Sequence, residues 1–452
     1  MTPIRGITDV ATLLETRAVS PVDLVRGCLS RIESRRELNA FITVLADSAL
    51  DAARQAEEDI MRGDYRGPLH GVPISVKDLI DVEGVETTSG SAVPAYRARR
   101  DASLVARLRD AGAIIIGKTN LHEFAFGTTG DETAFGRVGH PLDATRSAGG
   151  SSSGAAVAIV EGMCFGSIGT DTGGSIRIPS AACGIVGLKP GFGEVSCEGI
   201  VPLSPTLDHA GPMARTVADA GLMFRVLRGL PPLVPTPSNR ALTFGVPVPY
   251  FLDRLDPGVR AAFSRTRAAL EAGGHAVAEI SIDHAASTAD AYLHIVLPEA
   301  AAFHAPTLES CPQRYSPGVR LRLEMGRYVL AEDYVRAMTM RERLREAVDR
   351  AFDGLDAMLL PGLAITAPPL GAASVEVDGK PEPVRAIMLR LTQLFNITGH
   401  PAIVLPAGVS NGWPVSVQLV GRLGATDALL DLVAAVEPYI TAGPGSVGGG
   451  TG

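Results

Sequence analysis

The 452-residue chain predicts an α/β fold: a single domain with a large twisted mixed β-sheet core flanked by helices, and a helical insertion in the second half. Three observations carry this. Hydrophobic residues make up 46% and charged residues 20%, a balance that supports a large buried core. Short apolar runs alternate with amphipathic helical patterns from the start of the chain, the signature of helices packed on a largely parallel sheet. The strand pattern then stops, gives way to a long helical stretch, and resumes near the C-terminus.

Residues 8–35 read as two amphipathic helices, the second starting at Ser20-Pro21 with serine as N-cap and proline at the first helical position. "AFITVL" (40–45) reads as a strand and residues 48–62 as an Ala- and Glu-rich helix. "GVPISVKDLIDVEG" (71–84) reads as a strand containing a short turn. A helix over 102–111 leads into the buried strand "AIIIG" (113–117). Residues 149–190 are dense in Gly, Ser and Thr, yet apolar residues interleave them, so their glycines serve close packing and not a linker. "LTFGVPV" (242–248) restarts the strand pattern, and helical segments dominate from about 257 to 352. "AMLLPGLAITAPP", "PAIVLPAGV" and "PVSVQLVGR" return to strand and loop, and residues 426–439 close with a helix. No internal repeat is evident. One domain over 1–440 with a flexible Gly-rich tail over 441–452 is the simplest division.

Composition narrows the function classes. A formal charge of −8 argues against nucleic acid as a partner. Five cysteines without a Cys-x-x-Cys pair disfavour a disulfide framework and a zinc site. The N-terminus lacks a secretory apolar run, and no uninterrupted apolar stretch reaches the ~18 residues of a membrane span. The expectation is a cytoplasmic protein, monomer or homodimer, that acts on a small molecule away from membranes.

Two motif matches mislead. "GAIIIGKT" (112–119) fits the phosphate-loop pattern letter for letter, but its middle residues are the strand itself, where a phosphate loop must follow the strand. "GSSSG" (150–154) fits a nucleophile elbow centred on Ser152, which needs a strand before the serine and a helix after it. A helix follows; the preceding "GHPLDATRSAG" is polar and does not read as a strand. An N-cap is the alternative reading of Ser152.

The chemistry concentrates in "GTDTGGSIRIPSAACGIVGLKP" (169–190). Paired glycines before Ser175 allow close backbone approach and aim successive N–H groups one way, as an oxyanion hole, a tight structural turn or an anion-binding nest would. A serine nucleophile needs a base, yet no histidine lies between His140 and His209. A lysine held neutral is one solution. Bringing it from its ordinary pKa to near 7 takes about 4 kcal/mol of differential stabilisation, which burial without a carboxylate partner can supply. Lys77, in the apolar run "PISVKDL", is a candidate; a lysine that snorkels to the surface is the alternative.

Taken together, "GVPISVKD" with Lys77, "GGSSSG" with Ser151 and the block around Ser175 resemble the amidase signature family. The resemblance extends from about Leu13 to Tyr439 and includes "GAIIIGKTN" and "TLDHAGPMAR". Two local departures are Ser153, where many members have glycine, and His209, where many have glutamine. The resemblance implies a Ser–Ser–Lys triad that works without metal or organic cofactor. Ser175 would be the acyl nucleophile, and Ser151 the bridging proton carrier, entered through a cis Gly150–Ser151 peptide. Lys77 would be the general base. The amides of Thr172, Gly173, Gly174 and Ser175 would form the oxyanion hole, with Asp171 and Arg177 pairing to hold the loop. Phe126, Gly127 and Thr128 lie where members line the acyl pocket.

The family spans simple amidases, the glutamine-hydrolysing component of tRNA amidotransferases, and hydrolases of ureido acids and carbamates. "YSPGVRLRLEMG" has Arg320 and Arg322 split by Leu321, and "RAIMLRLTQLFNITGHP" has no acid to hold an α-amino group. A stand-alone amide hydrolase is therefore expected, with aryl carbamates (urethanes) and esters as further substrates and both arginines as exposed helix charges. Its pocket is expected between residues 123–130, the helical stretch 292–328 and residues after Leu360. The nameable walls are apolar or aromatic, which points to a hydrophobic or aryl substrate. An esterase using Ser152 with a nearby histidine, and a silent binding protein, are the readings from other classes.

Overall fold

The computed structural model describes residues 6–238 and 240–441; the Gly-rich tail from residue 442 lies outside them. Eleven strands form one mixed sheet: β1 (Phe41–Val44), β2 (Pro73–Lys77), β3 (Ile114–Thr119), β4 (Gly166–Asp171), β5 (Val186–Lys189), β6 (His209–Ala214), β7 (Thr243–Pro247), β8 (Ala276–Ile280), β9 (Ala357–Pro361), β10 (Ala402–Ser410) and β11 (Trp413–Val420). Their spatial order is β1-β3-β2-β4-β6-β5-β10-β11-β9-β7-β8. Parallel pairing joins β3, β2 and β4, and also β9, β7 and β8. The strands between pair antiparallel. Parallel pairing therefore holds in two three-strand groups; the strands between them, and edge strand β1 against β3, pair antiparallel.

Strands β2, β3, β4 and β9 are buried at every residue, as expected for strands covered on both faces. Helix α1 (Ser153–Val160) is apolar all round and buried through Ile159, the pattern of a helix inside the protein. It returns the chain from the loop holding Ser151 to β4, and so sets Ser151 and the end of β4 side by side. Ser20 caps its helix as expected, its side chain accepting from Val22 and Asp23 N–H groups at 3.0 and 3.4 Å.

The expected helical run is not continuous. Helix Pro257–Ala272 is followed by edge strand β8, paired parallel to β7. Its sequence "AVAEI" is rich in the helix formers Ala and Glu, which hid the strand. The helices at 288–310, 317–326 and 331–351 then form the layer over the site. A second difference lies before Ser152: Asp143–Ser147 is a strand, paired with Gly139–His140 in a small ladder off the main sheet. No described helix is long and apolar enough to cross a membrane.

Candidate active site

Lys77 ends β2 and is fully buried. Its Nζ lies 2.7 Å from Ser151 Oγ and 2.9 Å from Thr170 Oγ1 on the neighbouring strand β4. Neither partner is a carboxylate. Burial brings the lysine from its ordinary range down to about 7, against the opposing pull of Asp171 and Asp208. At neutral pH a large fraction of Lys77 is therefore uncharged, with a lone pair for a serine proton.

Ser151 is fully buried and follows a cis Gly150–Ser151 peptide. The 127–129 segment packs directly on it: a Cβ on Gly150 would stand 2.8 Å from the Thr128 carbonyl carbon and Thr129 N. Ser175 is 5% exposed, and its carbonyl accepts the Ser152 N–H at 3.2 Å. Its Oγ makes no hydrogen bond among the described residues.

The amides of Thr172, Gly173, Gly174 and Ser175 likewise have no acceptor among the described residues. Four successive unpaired N–H groups are unusual in a buried loop; an incoming oxyanion would satisfy them. Side chains hold the loop instead. Thr392 Oγ1 donates to Gly173 O at 2.5 Å, and Thr172 Oγ1 donates to Asp208. Burial raises Asp208 to about 6, although Thr172 and the Ser204 and Leu203 amides favour its charge. Gly174 has φ +142°, and a Cβ there would run into Thr392 Oγ1 and stand 2.7 Å from Ile178 Cδ1. Gly174→Ala should lower kcat by about 100-fold or more while leaving far-UV circular dichroism unchanged; near-wild-type turnover would count against the loop.

Asp171 and Arg177 form a buried fork, with Arg177 Nε and Nη2 each 3.0 Å from one carboxylate oxygen. Burial opposes the charge on Asp171, but the Arg177 guanidinium outweighs it and holds the carboxyl below the usual range. Asn396 Nδ2 donates to Asp171 O and Oδ1 at 2.9 and 2.8 Å, and Arg177 donates to Asn396 and to Gln418 Oε1. Arg177→Leu would leave a buried carboxylate uncompensated. Urea denaturation should register a loss of about 3–5 kcal/mol, and an unchanged midpoint would refute the clamp.

The chain's histidines do not reach Ser175 or Ser152 by hydrogen bond. His209 is buried, and Nδ1 meets two carbonyl oxygens, Leu207 O at 2.7 Å and Asp171 O at 3.2 Å. Carbonyls only accept, so Nδ1 carries the proton. Burial pushes His209 well below the usual imidazole range, so it is neutral. Among the described residues Ser152 Oγ hydrogen-bonds only to Thr170 O, at 3.4 Å, and its side chain makes no capping bond although it stands at the N-cap of α1. In the misleading phosphate-loop match, Lys118 is held by Asp78 at 3.1 Å and by Glu86 O and Thr87 Oγ1.

The amidase family model matches residues 23–430. The chain belongs to the amidase family. That membership makes it a carbon–nitrogen hydrolase. An amidase of Pseudomonas putida is 38% identical over 92% of both chains. The A chain of the glutamyl-tRNA(Gln) amidotransferase of Chloroflexus aggregans is 35% identical over 93% of this chain and 94% of that one. A crystal structure of an amidase superposes with a TM-score of 0.93 at 39% identity, covering 96% of this chain and all of that one.

The surroundings of Phe126 in this amidase-family chain differ from the apolar walls expected. Phe126 is buried, but Arg322 and Arg385 guanidinium carbons lie 5.3 and 5.7 Å from its ring centroid. Arg322 is not an exposed helix charge: its side chain is 18% exposed and pairs with Glu132 at 2.8 Å. Arg320 is exposed, beside Glu324. Tyr292, fully enclosed, brings its Oη within 2.5 Å of where a Gly173 Cβ would stand. Thr170, Asp208, Tyr292, Arg385, Thr392 and Asn396 were not singled out from sequence. Thr170 and Asp208 fall inside the blocks quoted for the resemblance, and Arg385, Thr392 and Asn396 inside the stretch 385–401 searched only for an acid.

Proposed function

We propose that this protein hydrolyses amides through an acyl-enzyme on Ser175, with Ser151 and Lys77 as its proton relay. The observation that carries the proposal is the buried Lys77, hydrogen-bonded to Ser151 at 2.7 Å without a carboxylate partner, behind four unpaired loop amides. Lys77 takes the Ser151 proton as Ser151 takes that of Ser175. Ser175 Oγ attacks the carbonyl carbon, and the amides of Thr172 to Ser175 receive the oxyanion. When the intermediate collapses, the C–N bond breaks and the relay returns a proton to the leaving nitrogen. Water then attacks the ester, giving its proton to the relay, and Ser175 is released with the acid product. Aryl carbamates and esters present the same carbonyl to the same nucleophile and fall within this chemistry.

The kinship with the amidotransferase chains supports a second reading, in which the amide is glutamine and a partner receives the ammonia. A panel of nitroanilides, aryl carbamates and glutamine, read by released amine or ammonia, separates the two. Release from simple amides by the chain alone, with Ser175 labelled by a fluorophosphonate, is the expected result. Glutaminase activity that appears only with a partner protein would favour the second reading, and absence of labelling would overturn both.

A further inference from the structure

Beside the proposed oxyanion loop stands an arginine whose one neighbouring carboxylate is shared with a second arginine. Arg385 lies on helix Val384–Leu389, whose last residue places Leu389 Cδ2 3.1 Å from where a Gly173 Cβ would stand. Arg385 makes no hydrogen bond or ion pair among the described residues, and its Nε is buried without a partner. The charged and polar groups facing it are Tyr292, Arg322 and Glu132. Glu132 is already committed: it meets His122 Nε2 at 3.1 Å, Arg322 Nη2 at 2.8 Å and Gly318 N at 3.0 Å. Tyr292 Oη makes no hydrogen bond among the described residues either. Burial lowers Arg385 to about 10, leaving it cationic at neutral pH.

Arg385 is part-buried, with its Nε enclosed and unpartnered, and its planar fork matches a carboxylate. Arg341 also lacks a hydrogen bond, but Glu299 and Glu342 neighbour it, so its charge is balanced within the protein. At Arg385 the one neighbouring carboxylate, Glu132, is shared with Arg322 and His122, which leaves the guanidinium open to an anion from outside. Resting on the hydrolase reading above, we infer that the substrate carries a carboxylate besides its scissile amide, and that Arg385, with the Tyr292 hydroxyl beside it, receives that carboxylate. The substrate class is then the monoamides of short dicarboxylic acids, not the hydrophobic amides that the apolar walls suggested.

The test compares succinamate, glutaramate and adipamate with neutral methyl-terminated amides of equal chain length. At one length or more, kcat/KM should favour the anionic amide by about 100-fold. Arg385→Leu should collapse that ratio to about one, mainly through KM, and Arg385→Lys should restore part of it. Fluorophosphonate labelling of Ser175 establishes that each variant is folded. If Arg385→Leu does not fold, inhibition of the wild type by succinate, glutarate and adipate, each against its monomethyl ester, decides. Stronger inhibition by the diacid at one length supports the site, and equal inhibition overturns it. Turnover of neutral amides without preference for any anionic one overturns the carboxylate site and leaves the hydrolase reading standing. No turnover of either class, with Ser175 unlabelled, overturns both.

Discussion

Ser175→Ala should abolish amide turnover, by at least about 10⁴-fold in kcat, while the protein keeps its fold. The side chain makes no hydrogen bond among the described residues, so its removal leaves no partner stranded and no packed group unsupported. The melting temperature should stay within a degree or two of the parent. Only the atom proposed to form the acyl bond is lost, and fluorophosphonate labelling should vanish with it. Retained turnover in this variant would place the nucleophile elsewhere, and Ser152 would be the first residue to revisit.

Lys77→Met should lower activity by about 10²–10⁴-fold and raise stability at the same time. The sign follows from burial. The unfolded chain protonates this lysine near its ordinary value and the folded chain only near 7. Above the unfolded value both states hold it neutral and nothing is lost. As pH falls toward 7 the unfolded state gains the proton first, so stability declines, and below 7 the decline levels off. At pH 7 the accumulated cost is about 4 kcal/mol. Methionine removes that cost and strands two hydroxyls, Ser151 and Thr170, at about 1 kcal/mol each. A net gain of about 2 kcal/mol should appear in chemical denaturation at pH 7 and shrink toward pH 10. In the parent enzyme kcat/KM should rise tenfold per pH unit below about 7 and flatten above it. A variant both inactive and less stable at pH 7, or a flat parent profile, would remove Lys77 from the role of base.

Most of the architecture was legible because each strand advertises itself locally. β2, β3 and β4 are apolar runs of five or six residues bounded by turns, and the loop ending at Ser175 is marked by its glycines. The parts that were not legible depend on contacts that leave no local trace. β8 is a short, half-exposed edge strand written in helix-favouring residues. Asn396, Gln418 and Thr392 reach back to Asp171, Arg177 and Gly173 across more than 200 residues, and such a separation imposes no periodicity. Arg385 sits among apolar residues on a short helix, and its meaning comes entirely from what does not surround it. The burial of Lys77 was legible by contrast: a serine motif without a histidine posed the question of a base, and the apolar flanks of Lys77 supplied the candidate now proposed.

That long-range stitching has a consequence for biosynthesis. The serine loop, the relay serine and the lysine all belong to the first two-fifths of the chain. Yet three of the residues that brace the loop, Thr392, Asn396 and Gln418, leave the ribosome only with the last quarter of the chain. Until Thr392, Asn396 and Gln418 have been made, the loop that carries Ser175 lacks these three contacts.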